Sequence, residues 1–359
     1  MINWKLLVTV VSFIISTGAV ALILFIARRE NWYDKIDDRK VHTGNIPRLG
    51  GIGFAFAFLA VSIFLFISFN LFSTNLYSVV VLLAMFIILQ FGIIDDFKSL
   101  KPRVKFLIQC IAALGILLSG LSYQKLFLVD FFGITSISWI GYPITFIFIV
   151  GLTNAVNIID GVDGLAGGVS ALIAITYGII FSSHFNDEFA VLLCICLAAS
   201  IGGFLVFNLP IPKAKIFMGD GGSQFLGFVL AVLPIMHRGR ADQEIPLFYV
   251  VALLIIPIFD TIAAIWRRLR DGRRIDSPDK LHIHHKLMNL GLSSRGIIGV
   301  LYTLQIVLGV LVFLSTRIPG KISLLFLLLA YIIGTGFFTA IHYMNISVLK
   351  KQESLQAAE

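Results

Sequence analysis

Long stretches without a charged residue alternate along the chain with short charged segments. The uncharged stretches lie between residues 5 and 28, 48 and 95, 105 and 125, 130 and 160, 163 and 187, 188 and 213, 220 and 238, 295 and 317, and 321 and 350. Because a transmembrane helix needs about 20 apolar residues, the stretch after Arg48 predicts two helices, separated by a polar break at residues 68–78. With one more span at residues 246–266, the pattern predicts eleven transmembrane helices.

The composition agrees with this pattern. Of the 359 residues, 58% are hydrophobic and 13% are charged, whereas about 25% are charged in soluble proteins. A soluble fold could not bury so much apolar surface, which excludes a soluble enzyme, a disordered regulator and a disulfide-stapled domain. We therefore predict an all-α polytopic membrane protein, with a single integral-membrane domain at residues 1–350 and a short cytoplasmic tail at residues 351–359.

The basic residues set the predicted orientation. If the segment at residues 28–49 lies inside, the inner segments hold 22 of the 28 Lys and Arg residues and the outer segments hold six. The positive-inside rule then places the N-terminus outside and the C-terminus in the cytoplasm, in a multi-pass protein of the cytoplasmic membrane. The same inner loops account for the sequence pI of 9.4, so the basic charge requires no nucleic acid as a partner.

Several aspartates lie at the predicted cytoplasmic ends of spans, although they come from distant parts of the sequence. They are Asp95, Asp96, Asp160, Asp163, Asp220 and Asp260. Charged side chains near the membrane are costly and are functional candidates for that reason. Any one of them could be a solvated helix end, but the whole set predicts a site at the cytoplasmic face.

Asp95 and Asp96 directly follow an apolar run. Adjacent carboxylates at a membrane edge repel each other and are stabilised by a cation, either a divalent metal or the nearby basic residues at 98–105. The pair could also supply a general base.

The segment NAVNIIDGVDGLAGG, residues 154–168, interrupts a region that is otherwise apolar. Its glycines allow close approach of the backbone to a ligand. Asn157 and Asp160 are three residues apart and share a helix face if the helix continues. An amide oxygen beside a carboxylate suits a hard cation or a sugar hydroxyl.

The segment GDGGS, residues 219–223, precedes an apolar helix and predicts a glycine-rich turn at a helix N-terminus, which favours phosphate. Asp220 would repel phosphate unless a metal bridges the two, so the pattern indicates a magnesium–phosphate site. Phe217, just before the turn, could stack on a base, although a lone aromatic residue more often packs in a core.

The largest predicted cytoplasmic loop, residues 267–291, contains five arginines and a histidine cluster, His282, His284 and His285. These histidines could bind a metal or, with Arg and Lys alongside, an anion. Topology and lipid headgroups explain most of the arginines, but they do not explain the histidines. The segment around Arg48, which also contains His42, lies on the same side.

Together these motifs resemble the polyprenyl-phosphate N-acetylhexosamine-1-phosphate transferases, a family that includes the phospho-MurNAc-pentapeptide translocase. The resemblance covers residues 39–291, and the motifs occur in the family's order. The matching segments are IPRLGG (46–51), GIIDDF (92–97), NAVNIIDGVDGLAGG (154–168), FMGDGGS (217–223), PIFDT (257–261) and HIHHKL (282–287).

The resemblance implies a reaction in which undecaprenyl phosphate attacks the β-phosphorus of a UDP-sugar, giving lipid-diphosphate-sugar and UMP. It implies Mg²⁺ as the cofactor, with Mn²⁺ as an expected substitute. The implied partners are UDP-N-acetylglucosamine, undecaprenyl phosphate and membrane lipid, and a homodimer is left open.

The site residues that the resemblance implies fall into three groups. The metal ligands are Asp220 and Asn157. The catalytic residues, which would orient or deprotonate the lipid phosphate or support the metal, are Asp95 and Asp96. The substrate-binding residues are Arg48, Asp160, Asp163, Phe217, Arg267, Arg268, His282, His284 and His285.

The sugar rests on fewer residues. The peptidoglycan translocase typically carries three consecutive histidines, whereas Ile283 interrupts them here, a form that resembles the GlcNAc-1-phosphate branch. UDP-GlcNAc is the expected donor, with UDP-MurNAc-pentapeptide, UDP-GalNAc or another N-acetylhexosamine as alternatives. A secondary transporter is the alternative from a different class, but the acids lie at one edge and no internal repeat is visible.

The predicted topology can be tested by cysteine labelling of intact cells with an impermeant reagent. The basic asymmetry predicts that cysteines at Lys98 and Lys280 are protected, whereas cysteines at Lys125 and Asp242 are labelled. Labelling of position 280 from outside would contradict both the orientation and the cytoplasmic site.

Overall fold

The computed structural model describes residues 3–33, 46–74, 76–125, 127, 138–236, 244–275, 277, 279 and 281–356. Within these residues it contains α-helices joined by short turns. The helices are α1 (Trp4–Arg29), α2 (Gly50–Ser68), α3 (Leu71–Thr74), α4 (Leu76–Lys98), α5 (Pro102–Leu118), α6 (Gly141–Ile159), α7 (Leu165–Ile180), α8 (Glu188–Asn208), α9 (Gly219–Val232), α10 (Leu247–Leu253), α11 (Ile255–Arg270), α12 (Ile283–Asn289), α13 (Ser294–Arg317) and α14 (Lys321–Gln356).

Eight helices of the described part of the chain are long and apolar enough to cross a membrane, namely α1, α2, α4, α6, α7, α8, α13 and α14. A ninth is obtained if α10 and α11, which meet at a bend of 83°, form one span. The remaining predicted spans coincide with α5 and α9, which have 17 and 14 residues, fewer than the about 20 of a typical crossing. The all-α membrane class is confirmed, whereas the count of eleven and the orientation stay predictions.

The structure describes the predicted polar break and part of the predicted tail. The polar break after α2 is present, since the short helix α3 separates α2 from α4. Residues 351–356 continue α14, where the sequence predicts a separate tail. His42, Asp242 and Lys280 lie outside the described residues.

Helix α9 occupies the centre of the bundle. Every residue of α9 is buried except Asp220, and the helix packs against α2, α4, α6 and α7. A helix that is apolar on all sides is stable only when other elements surround it. The one carboxylate of α9 therefore lies in its first turn, at the end of the bundle where the predicted site residues meet. We call this the site end.

Glycine allows three helices to meet at the start of α9. A side chain at Gly51 would collide with the backbone of Gly222, and one at Gly92 would collide with the backbone of Gly221. Helices α2 and α4 thus approach α9 backbone to backbone, as is common between membrane helices with small residues at their contacts. Part of the glycine-rich pattern that the sequence interpretation assigned to phosphate binding therefore serves helix packing.

The bend between α10 and α11 positions the histidine loop. Helix α11 packs against α6 and α14, and α12 packs against α13 and α14. The end of α11 and the start of α12 are consequently held beside the end of α6, where the acidic segment begins.

The glycine contact between α2 and α9 can be tested with Gly51→Leu. The larger side chain must separate the two helices, and overpacking of this kind costs about 1–3 kcal/mol or more. We expect a lower thermal unfolding midpoint in detergent. Gly336→Leu is the control, because Gly336 has open space around it, and equal midpoints for the two variants would contradict the proposed contact.

Candidate active site

Asp220 lies in a cluster of charges at the site end. Nη2 of Arg48 donates to Oδ1 of Asp220 over 2.5 Å, and Nζ of Lys105 donates to Oδ2 over 2.9 Å. The Lys105 ammonium also pairs with the buried carboxylate of Asp95. The residues come from the segment before α2, the end of α4, the first turn of α5 and the first turn of α9, so the structure brings together acids that the sequence predicted to converge.

Asp96 caps the first turn of α9. Its Oδ1 accepts from the backbone N–H of Asp220 over 2.7 Å, and its Oδ2 accepts from that of Gly221 over 3.0 Å. The side chain is only 1% exposed. A carboxylate at this position satisfies free N–H groups and complements the helix dipole.

This cap bears on two expectations. Two N–H groups of the GDGGS turn, which was predicted to bind phosphate, bind a carboxylate from α4. Asp96, predicted to be catalytic, points both oxygens at the backbone next to Asp220. In this geometry Asp96 holds the first turn of α9, and its catalytic role stays a prediction.

The segment after α6 completes the acidic side of the cluster. Asn157, in the last turn of α6, donates to Oγ of Ser223 over 2.8 Å and to Oδ1 of Asp220 over 3.3 Å. Helix α6 ends at Ile159, so Asp160 lies beyond the helix and does not share a continuing helical face with Asn157. Burial, followed by the nearby charge of Asp220, raises the pKa of Asp160 to about 8.

Asp163 follows Asp160 by three residues, and Phe217 precedes Asp220 by three residues. Asp163 is half-buried in the turn between α6 and α7. The backbone of Phe217 bonds to the segment before α2, since its N–H donates to the carbonyl of Pro47 and its carbonyl accepts from Gly50, both over 2.8 Å. This pairing holds Arg48 beside the GDGGS turn.

The donor chemistry of the cluster fits a hard cation. Among the residues that the structure describes, the carboxylates of Asp95, Asp96, Asp160 and Asp220 lie close together, and the cationic side chains that pair with them are Arg48 and Lys105. The ammonium of Lys105 already lies between Asp95 and Asp220, so one cation can contact both. Carboxylate and amide oxygens are the ligands that Mg²⁺ prefers. The described residues nevertheless contain no group of three or more His, Cys, Asp or Glu already arranged around a metal position.

Asp260 organises the histidine loop. Its Oδ2 lies 2.9 Å from Nδ1 of His282, and its Oδ1 accepts from the backbone N–H of Ile283 over 2.8 Å. Asp260 is on α11 and His282 is the residue before α12. The carboxylate therefore joins these two helices and orients the His282 ring.

His284 connects the histidine loop to the acidic segment. Its ring occupies the space that a side chain at Gly161 would fill, next to Asp160, and the centroid of His285 lies 4.3 Å from its own. Burial, and then the neighbouring His285, lowers the pKa of His284 to about 3. Its Nδ1 atom is buried and has no hydrogen-bond partner among the described residues. A neutral imidazole at this position can bond to a phosphate oxygen without bringing charge.

Arg267 and Arg268 both bond within the histidine loop, and their expected role in phosphate binding stays a prediction. Arg267 is 5% exposed, and its guanidinium bonds to Asp279 through Nε at 3.1 Å and Nη2 at 2.6 Å. Arg268 is also buried, and its Nη1 donates to the carbonyl of Ile275 over 2.6 Å. Both side chains hold the loop together, which is why they are buried.

Comparison with known proteins identifies the family of the chain. Residues 78–238 match the family described as Glycosyl transferase family 4. The chain is 33% identical over 347 residues to the probable undecaprenyl-phosphate N-acetylglucosaminyl 1-phosphate transferase of Bacillus subtilis (strain 168), with 92% of each chain covered. The chain belongs to glycosyl transferase family 4.

Two further relatives in this family have similar names. The undecaprenyl-phosphate alpha-N-acetylglucosaminyl 1-phosphate transferase of Escherichia coli (strain K12) is 32% identical over 345 residues, covering 88% of this chain and 89% of the relative. The decaprenyl-phosphate N-acetylglucosaminephosphotransferase of Mycobacterium leprae (strain TN) is 31% identical over 322 residues, covering 82% and 80%. The family resemblance inferred from the motifs is thereby confirmed.

Two residues of this family-4 site were missed by the sequence analysis. Lys105 was one of several basic residues near Asp95, and only its place in the first turn of α5 aims it at the cluster. Asp260 was among the predicted acids but received no role. An acid within an apolar helix requires a polar partner. This rule would have suggested pairing Asp260 with a histidine of the 282–285 cluster.

The neutral state of His284 predicts an acid-dependent loss of stability. Because its pKa in the folded protein lies below the ordinary value of 6.5, the unfolded chain binds the proton first as the pH falls. The stability that depends on a neutral His284 is fully present above pH 6.5 and is lost as the pH falls from 6.5 to about 3. At a pH about one unit below 6.5 the loss is about 1.4 kcal/mol.

His284→Gln lacks the titrating ring and should therefore lose less stability on acidification than the wild type. The measurement is the thermal unfolding midpoint of both proteins at neutral pH and at a pH one unit below 6.5. An identical drop in both proteins would contradict a buried neutral His284.

Proposed function

We propose that the chain transfers N-acetylglucosamine-1-phosphate from UDP-GlcNAc to undecaprenyl phosphate, giving undecaprenyl-diphosphate-GlcNAc and UMP. The observation that carries this proposal is the Asp220 cluster with Arg48 and Lys105, adjoined by the neutral His284, at one end of a membrane helix bundle. The names of the relatives support the reaction and the sugar. No observation favours the MurNAc-pentapeptide or transporter alternatives.

The reaction sets a clear electrostatic problem for the site. An oxygen of the lipid phosphate attacks the β-phosphorus of UDP-GlcNAc, and the bond between that phosphorus and the bridging oxygen of UMP breaks. Both substrates are anionic, so cations and preorganised donors are needed to bring them together. Arg48 and Lys105 supply positive charge beside Asp220, and the neutral imidazole of His284 supplies an N–H donor.

A bound Mg²⁺ would neutralise diphosphate charge and polarise the attacked phosphorus. Asp220 would hold it, with Asn157 and Asp95 as the nearest further oxygen donors. Asp95 is otherwise held by Lys105 and by the N–H of Leu100, which donates to its Oδ1 over 2.7 Å.

No dedicated general base is required in this scheme. The second pKa of a phosphate monoester is about 6, so the lipid phosphate is mostly ionised near neutral pH and already nucleophilic. We therefore assign Asp95 to orienting Lys105 and the lipid phosphate, and Asp96 to holding the first turn of α9.

The two substrates would approach from different sides. Asp160, Asp163 and Phe217 would hold the uridine end, while the polyprenyl tail would remain in the membrane. The site end would face the cytoplasm, where UDP-sugars are available, in a protein that crosses the cytoplasmic membrane eleven times. This orientation follows the distribution of basic residues.

The proposal is tested by release of UMP from purified protein supplied with undecaprenyl phosphate, UDP-GlcNAc and Mg²⁺. Asp220→Asn keeps the side-chain shape but removes the charge that would hold the metal. Loss of such an electrostatic group should reduce turnover about 10²–10³-fold. The control is Asp271→Asn, since Asp271 is an exposed carboxylate that pairs with the loop arginines Arg270 and Arg273.

Near-normal UMP release by Asp220→Asn at low Mg²⁺ would remove Asp220 from the metal role. If the wild type releases no UMP from UDP-GlcNAc but turns over another UDP-sugar, the assigned donor is wrong. The assigned reaction class is then retained.

A further inference from the structure

Three amide side chains, linked through the central one, form a layer just below the charged cluster. Nδ2 of Asn154 donates to Oε1 of Gln109 over 2.6 Å, and Nε2 of Gln109 donates to Oε1 of Gln224 over 3.1 Å. Gln109 is 1% exposed and Gln224 is 5% exposed. The layer joins α5, α6 and α9, the helices that carry Lys105 and Asn157 and Asp220.

Each amide lies one helical turn deeper than the polar residue that its own helix contributes to the site. Helices α5 and α9 begin at the site end, so Gln109 follows Lys105 by four residues and Gln224 follows Asp220 by four. Helix α6 ends there, so Asn154 precedes Asn157 by three. Residues three or four apart share one face of a helix, so the two layers are stacked.

The hydrogen bonds of this layer specify one arrangement of the three helices. Gln109 accepts from Asn154 on α6 through its amide oxygen, and its amide nitrogen donates to Gln224 on α9 over 3.1 Å and, more weakly, to Asn154 over 3.4 Å. Sliding or rotating one helix would leave a buried amide without a partner in apolar surroundings, which is costly. Apolar side chains at the same positions would tolerate such movement, because their contacts are not directional.

We propose that Gln109, Asn154 and Gln224 are positioning residues that set the register of α5, α6 and α9, and thereby the distances among Lys105, Asn157 and Asp220. The inference rests on the proposed function, because it assigns these residues to the geometry of the phosphate-transfer site. A shift of about 1 Å in such a site costs on the order of 100-fold in rate.

The decisive variant is the double replacement Gln109→Leu/Gln224→Leu. Replacing both members of a buried hydrogen bond with apolar groups can leave stability nearly unchanged, and Asn154 keeps its bond to the carbonyl of Val150. Gln224→Met, which has a similar length and no hydrogen-bonding amide, is the second variant if the double variant does not fold.

Three quantities are measured: the thermal unfolding midpoint without metal, the dissociation constant of Mn²⁺ by electron paramagnetic resonance, and kcat for UMP release. We expect a midpoint within a few degrees of the wild type, Mn²⁺ binding weakened about 10-fold or more, and kcat reduced about 10–100-fold. A purely structural amide layer would change only the midpoint.

Gln305→Leu is the matched control. Gln305 is also a buried glutamine in a membrane helix, 1% exposed, and its Nε2 donates to the carbonyl of Leu253 over 3.0 Å. It is on α13, outside the three helices of the amide layer. Its loss should lower the unfolding midpoint while kcat and Mn²⁺ affinity stay at wild-type values.

Wild-type kcat and Mn²⁺ affinity in a folded amide variant would overturn the inference. So would equal losses of kcat in Gln305→Leu and in the amide variants. If the wild type itself binds no Mn²⁺ and Asp220→Asn has normal turnover, the proposed metal role has failed. The effect of the amide variants on kcat then decides the positioning role separately.

Discussion

The arrangement depends on the need to stabilise a carboxylate at the first turn of a helix that is otherwise wholly buried. Asp220 can lie there because Arg48 and Lys105 contact its two oxygens and Asp96 satisfies the N–H groups of the same turn. Carboxylates removed from water are costly unless paired and hydrogen-bonded. The glycines of α2, α4 and α9 allow the partner residues to approach closely enough to meet this requirement.

The second half of the site follows a different rule. In the histidine loop, Asp260 joins α11 to α12, while burial keeps His284 neutral. The Asp220 cluster thus holds the cationic groups, and the ring packed on Gly161 offers one neutral N–H donor. For a reaction between two anions, this division provides charge beside the proposed metal site and a directional hydrogen bond next to it.

Deeper in the bundle than these two halves of the site lie buried polar residues that do not pair with a charged group. Buried amides in a membrane are retained only where they bond to one another or to the backbone. The layer formed by Gln109, Asn154 and Gln224 lies directly beneath three of the site residues, whereas Gln305 bonds to the backbone carbonyl of Leu253. The same residue type therefore has different consequences, according to whether it connects the helices that form the site.

Much of the helical pattern and part of the site were predictable from the sequence. Uncharged runs of about 20 residues must be helices in a membrane, because every backbone group has to be hydrogen-bonded internally. The same cost of burying charge placed Asp95 and Asp220 at span ends, and the ordered motifs indicated the family. Lengths of individual helices were less predictable, since α5 and α9 are short helices held by their neighbours.

Only the tertiary structure decided which partner each polar group has. The GDGGS turn is compatible with phosphate in sequence, but a carboxylate from α4, more than a hundred residues away, occupies its N–H groups. In sequence Arg267 resembles a phosphate ligand, but in the structure its guanidinium bonds to Asp279. Asp260 has no evident role in sequence, but in the structure it bonds to His282. Local sequence determines which groups are charged or apolar. Their pairing depends on helix packing, because electrostatic and hydrogen-bond energies are decided by distances of a few ångströms between segments far apart in the chain.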